Sequence, residues 1–78
     1  MPRYKNLEGH SGVVAYEEAP GAIAVRFVNG DSYVYTDAVT GRGTVEQMKA
    51  LARRGRGLST FIAQFVRERY ADKVEGGG

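Results

Sequence analysis

At 78 residues the chain has room for one domain, and a fold of this size buries only about 60% of the surface its unfolded form exposes. Without cysteine, and with His10 as its one histidine, it excludes a disulfide framework and a thiolate metal site, and no second ligand stands near that histidine. The net charge of +2 is unevenly spread: residues 1–40 carry three basic and five acidic side chains, giving −2, whereas residues 41–78 carry eight basic and four acidic, giving +4.

No apolar run approaches the ~20 residues of a membrane-spanning helix, and the start Met1-Pro2-Arg3-Tyr4-Lys5 lacks the apolar stretch of a secretory signal, so a cytoplasmic protein is expected. Residues 1–10 are polar and irregular and are expected to form a tail or an edge strand. Gly12 to Glu17 and Ala22 to Val28 have strand character on either side of the Pro20-Gly21 turn signal. In the second stretch Ile23, Val25 and Phe27 alternate with Ala22, Ala24 and Arg26, which marks one buried face and one open face. Asn29-Gly30 supplies a hairpin signal, and a third strand is expected from Ser32 to Asp37.

Two registers satisfy that hairpin. A two-residue turn sets Arg26 opposite Tyr33 and Ala24 opposite Tyr35, leaving both rings on the open face as a stacking platform. A three-residue turn, Val28-Asn29-Gly30 with Gly30 as the bulge residue, pairs Val25 with Tyr33 and Ile23 with Tyr35 and brings the rings into the core. The second register is favoured, because a chain with few large apolar residues needs the ring area.

Residues 38–43 are expected to be a loop. Thr44 and Gln47 have the spacing of a helix-opening capping box, after which Val45, Met48, Leu51 and Ala52 recur at helical spacing up to Gly55. A second helix is expected from Ser59, with Leu58 as a hydrophobic staple and an apolar stripe through Ile62, Phe65, Val66 and Tyr70, leaving Gln64, Arg67, Glu68 and Lys73 in water. The expected domain spans residues 11–74 and the remainder, 75–78, is expected to be a disordered glycine tail. The fold class is therefore α+β: a small antiparallel sheet of three strands followed by two short helices packed on one face.

The Tyr33-Val34-Tyr35 triplet past the hairpin, together with Met48, Leu51-Ala52, Gly55, Gly57-Leu58-Ser59, Phe61-Ile62, Val66 and Tyr70, resembles the KTSC family. That family is named for a short domain at the C-terminus of some lysyl-tRNA synthetases and also occurs as stand-alone small bacterial and phage proteins. The resemblance runs from about Gly12 to Tyr70. It implies a fold, carries over no reaction, and brings RNA binding into view through the synthetase link. The Arg53-Arg54-Gly55-Arg56 connection is richer in arginine than the family pattern requires.

Clustered guanidiniums at a glycine-softened turn have the bidentate geometry that grips phosphate. Arg53, Arg54 and Arg56 are therefore the leading contact candidates, with Arg26, Tyr33, Tyr35, Arg67 and Arg69 as further candidates. His10-Ser11 with Asp31 or Asp37 offers no spacing that would build a nucleophile and its base, so neither an enzyme nor a cofactor or metal site is expected. The expectation is a small binding domain for RNA or single-stranded DNA. The alternative is a protein-interaction module, such as a phage-type inhibitor that binds a host nucleoprotein complex, and surplus apolar surface on the second helix would suit a homodimer.

Overall fold

The computed structural model describes residues 3–5 and 12–76. His10-Ser11, and Gly77 and Gly78 of the expected disordered tail, lie outside the described residues. Four antiparallel strands, β1 (Val13–Ala19), β2 (Ala22–Phe27), β3 (Ser32–Thr36) and β4 (Asp72–Val74), form one sheet in the order β1-β2-β3-β4. Between β3 and β4 the chain makes a one-turn helix α1 (Asp37–Thr40), the longer α2 (Arg42–Arg54) and a short α3 (Leu58–Phe61), which runs directly into a π-helical turn over Ile62–Val66.

The β2–β3 hairpin adopts the bulged register. Gly30 N–H donates to Phe27 O at 2.9 Å and Phe27 N–H to Asp31 O at 2.8 Å, and Gly30 takes φ +95°, a value an L side chain resists. Val25 consequently pairs with Tyr33 and Ile23 with Tyr35. Both tyrosines face the helices, and Tyr35 is only 1% exposed. The open-face platform is thus ruled out by register.

The core lies between one sheet face and the helices. Val13, Ile23, Val25 and Tyr35 from the sheet meet Val45, Met48 and Ala52 of α2, Leu58 of α3 and Ile62 and Val66 of the π turn. The α2 residues follow the helical spacing read in the sequence, and α2 ends as expected at Gly55, whose φ of +79° lets its N–H reach the carbonyls of Leu51 and Ala52. Lys49 also lies on the buried side of α2. Its stem packs inward while Nζ reaches Ala19 O at 2.8 Å, so the charge remains solvated by a carbonyl. The N-terminal segment adds an edge: Arg3 bridges to Ala15, and Tyr4, buried at 3% exposure, accepts a hydrogen bond at its hydroxyl from Leu58 N–H at 3.4 Å.

Several boundaries differ from the sequence expectation. The expected loop 38–43 contains α1, capped by Thr36 Oγ1 accepting from Val39 N–H at 3.3 Å, and the first turn of α2. Gly41 precedes α2, and Thr44 lies inside it, so the Thr44–Gln47 capping box does not open the helix. Gly57, not Ser59, precedes α3. The second helix stops at Val66, short of Tyr70, and residues 72–74 form a fourth strand, which corrects the expected count of three. The reason is the edge of β3. Ala71 N–H donates to Val34 O at 2.7 Å and β4 then satisfies backbone groups that a continuing helix would leave unpaired. Glu75 and Gly76, assigned to the tail, are placed, with Gly76 N–H donating to Asp31 Oδ1 at 3.0 Å.

Candidate functional site

The basic candidates separate onto opposite edges of the sheet. Arg53 at the end of α2 reaches edge strand β1, where its Nε donates to Glu18 Oε2 at 2.9 Å and Nη2 pairs with Oε1. One of the three clustered guanidiniums is therefore committed to a protein carboxylate. Arg54 and Arg56 remain exposed, on either side of Gly55. The backbone there is engaged as well: Leu58 N–H meets the Tyr4 hydroxyl and Phe61 N–H meets Gly57 O. These two amides are therefore already paired within the chain.

The Arg53 guanidinium holds the Glu18 carboxyl below its ordinary value of 4.5. A lowered carboxylate pKa contributes stability that is present above the unfolded-state value and lost as pH falls through the folded-state value. Glu18→Gln is expected to lower the urea midpoint slightly at neutral pH and to differ less from the parent chain at pH 3. Because the pair is exposed, added salt should also shrink the difference. Paired urea titrations at the two pH values check this.

Arg26 points to the sheet face away from the helices, between the inward Val25 and Phe27, with Nε 3.4 Å from Ser32 Oγ. Tyr33 and Tyr35 lie on the other side, so Arg26 and the two tyrosines cannot form one surface.

Tyr33, Tyr35 and Arg67 do share a place. They line a cleft of about 410 Å³ where the β2–β3 turn approaches the segment that leaves the π turn. The cleft wall is aromatic. Tyr33 and Tyr70 meet edge to face with centroids 4.7 Å apart, and Phe27 meets Tyr33 the same way at 5.5 Å. These three rings are half-buried, and Tyr35 closes the floor with Ile62. Burial, aided by the neighbouring Tyr33 and Tyr70 phenols, holds the Tyr35 phenol above the usual tyrosine range. Lys73 on β4 lies 5.6 Å from the Tyr33 ring centroid and 3.7 Å from Asp31, and both partners raise its pKa.

Arg67 and Glu68 are the charged residues that line this cleft. Neither side chain has a hydrogen-bond or ion-pair partner among the described residues. Arg67 is held at φ +52° and ψ −119°, the first central position of a II′-type turn that Arg69 N–H closes onto Val66 O at 3.1 Å. It is the one non-glycine residue with positive φ among the described residues. Its N–H also closes the π turn onto Ile62 O at 2.6 Å. A π turn and a strained residue in sequence are costly local features that gather at binding sites. Arg69 lies behind the wall, with its guanidinium directed back to Phe65 O at 3.1 Å.

Sequence reasoning assigned Tyr70 to a helix stripe, and it is a cleft residue; Glu68 is exposed as expected and also borders the cleft. Phe65, expected in the buried stripe, is 61% exposed beside Phe61, because the widened turn buries Ile62 and Val66 and rotates Phe65 outward. Among the described residues no group of three or more His, Asp or Glu side chains converges to hold a metal ion, and no helix is long and apolar enough to cross a membrane. No protein-family model, curated protein or solved structure matches the chain.

Proposed function

We propose that the chain is a non-enzymatic binding module for single-stranded nucleic acid, RNA or DNA, and that the cleft beside Arg67 receives an unpaired base. The observation that carries this reading is the aromatic wall of Phe27, Tyr33 and Tyr70 next to an unpartnered guanidinium. Aromatic surface takes up unstacked bases of any sequence, while arginine pairs with phosphate. A duplex keeps its bases stacked and offers none to such a cleft. Arg54 and Arg56, exposed on either side of Gly55 at the end of α2, supply a second contact for the backbone of a bound strand. The resemblance to the KTSC family, with its synthetase link, agrees with this reading.

Binding should weaken steeply with salt, because each neutralised phosphate releases counterions. Titration of labelled mixed-sequence RNA and single-stranded DNA at low and physiological salt is the test. Absence of binding at low salt, or unchanged binding in an Arg54→Ala/Arg56→Ala/Arg67→Ala triple variant, removes the proposal.

A protein-interaction module is the second reading, favoured by the exposed Phe65 and its neighbour Phe61 at centroid distance 5.3 Å. Recovery of a host protein that survives nuclease treatment and is lost in Phe65→Ser supports it.

A further inference from the structure

We infer that the cleft is a guanine-selective nucleotide site in which Glu68 reads the base and Arg67 holds its phosphate; this rests on the single-strand reading above. Among the described residues the two charged ones that line the cleft are adjacent in sequence, opposite in sign, exposed, and without a hydrogen-bond or ion-pair partner. A ligand that engaged both in place of water would carry an anion and, on its apolar body, N–H donors. A nucleotide has that combination.

Size limits the occupant to one unit. A cleft of about 410 Å³ lies in the lower part of the ~300–1,000 Å³ range of small-molecule sites, enough for one nucleotide and too little for a stacked run. The half-buried rings of Phe27, Tyr33 and Tyr70 offer the cleft's accessible apolar surface to a flat ring system, and a purine covers more of it than a pyrimidine.

The choice of base follows from the carboxylate. An ionised carboxylate is an acceptor with two oxygens and no donor. Guanine presents N1–H and the N2 amino group side by side on its Watson–Crick edge, two parallel donors that match the two oxygens. Adenine and cytosine present one amino group beside a ring acceptor that the carboxylate repels. Uracil and thymine present a single N–H between two carbonyls. Guanine is therefore the base that a lone carboxylate accepts without leaving a repulsive contact. The guanidinium of Arg67, a five-donor fork, is the natural partner of the phosphate.

The test uses the full chain. Affinity is measured for four oligonucleotides of equal length, each uniform in A, C, U or G within an unstructured spacer, and for free GMP and UMP. Tyrosine fluorescence reports the occupied cleft, since the chain has five tyrosines and no tryptophan. The guanine oligonucleotide is expected to bind about tenfold more tightly than the uridine one, in the range of a good two-point base contact. Glu68→Gln, which replaces one acceptor oxygen by a donor at an exposed position, is expected to bring the guanine and uridine affinities to within about twofold of each other. Equal affinity for the four oligonucleotides, or a guanine preference untouched by Glu68→Gln, overturns guanine selection while leaving single-strand binding standing. A failure of every oligonucleotide to bind overturns both. Quenching by GMP that Arg67→Ala does not weaken overturns the phosphate assignment.

Discussion

Tyr35→Ala is expected to abolish the cooperative unfolding transition, or to lower its urea midpoint to near zero, while Tyr35→Phe keeps a folded domain. The ring is 1% exposed, pairs across the sheet with Ile23 and sits in the same core cluster as Val45, Met48 and Ile62. Truncating a buried aromatic costs about 3–5 kcal/mol. A chain of 78 residues, at about 0.05–0.15 kcal/mol per residue, holds roughly 4–12 kcal/mol in all. The loss is therefore comparable with the whole margin. Tyr35→Phe removes only the hydroxyl, for about 1 kcal/mol. The two variants also separate at alkaline pH. Because burial raises the Tyr35 phenol above its ordinary value of 10.0, its contribution is fully present below that pH and is lost as pH rises through the folded-state value. Destabilisation of the parent chain above about pH 10 should be smaller in Tyr35→Phe. Urea denaturation followed by far-ultraviolet circular dichroism measures both effects.

The second large effect concerns Arg67, where stability and binding are expected to move in opposite directions. A non-glycine residue at φ +52° and ψ −119° costs about 1–3 kcal/mol. Arg67→Gly removes that strain and returns part of it as extra freedom of the unfolded chain, for a net gain of up to about 1 kcal/mol. Arg67→Ala keeps the strain and leaves stability nearly unchanged. Both variants delete the guanidinium. Loss of one charge-assisted contact, about 1.5–3 kcal/mol, lowers affinity for single-stranded oligonucleotides about 10- to 100-fold. Thermal unfolding and titration of the same three proteins test the pair of outcomes together. If Arg67→Gly is destabilised by about 1 kcal/mol or more, the residue is not strained in the native turn. If it binds like the parent chain, the cleft is not the site.

Sequence reasoning reached the hairpin because its signals are local: Asn29-Gly30 marks the turn, and the alternation of Ile23, Val25 and Phe27 fixes the inward face, which leaves the bulged register as the one that buries Tyr35. Helix α2 was equally accessible, since its apolar spacing and Gly55 lie within one segment. Strand β4 was not. It has three residues, Asp72 to Val74, all exposed, and it pairs with a strand about 40 positions earlier, so neither hydrophobic alternation nor turn chemistry marks it. The π turn left no trace either, because Ile62 and Val66 fit an ordinary helix stripe as well as a widened one. For the candidate site the pattern repeats. Tyr33 and Arg67 were singled out separately, but the cleft that joins them is built from Gly12, the end of β2 and its turn, β3, Ile62 and the segment after the π turn, and it exists only once those meet. The Arg53 cluster looked free in sequence because its partner Glu18 lies 35 positions away.

A π turn is one residue too many for the helix that contains it. Deleting one position from Ile62–Val66 would leave an ordinary α-helical turn, without the wide Arg67 N–H to Ile62 O closure that leads into the Arg67 turn at the cleft. Ile62 and Val66 belong to the core and Ile62 also lines the cleft, so the turn that seats the helix also positions the residues that follow it at the cleft. The site is thus set by chain length as much as by side-chain identity. A variant with every cleft residue intact, but a turn one residue shorter, would separate those two contributions.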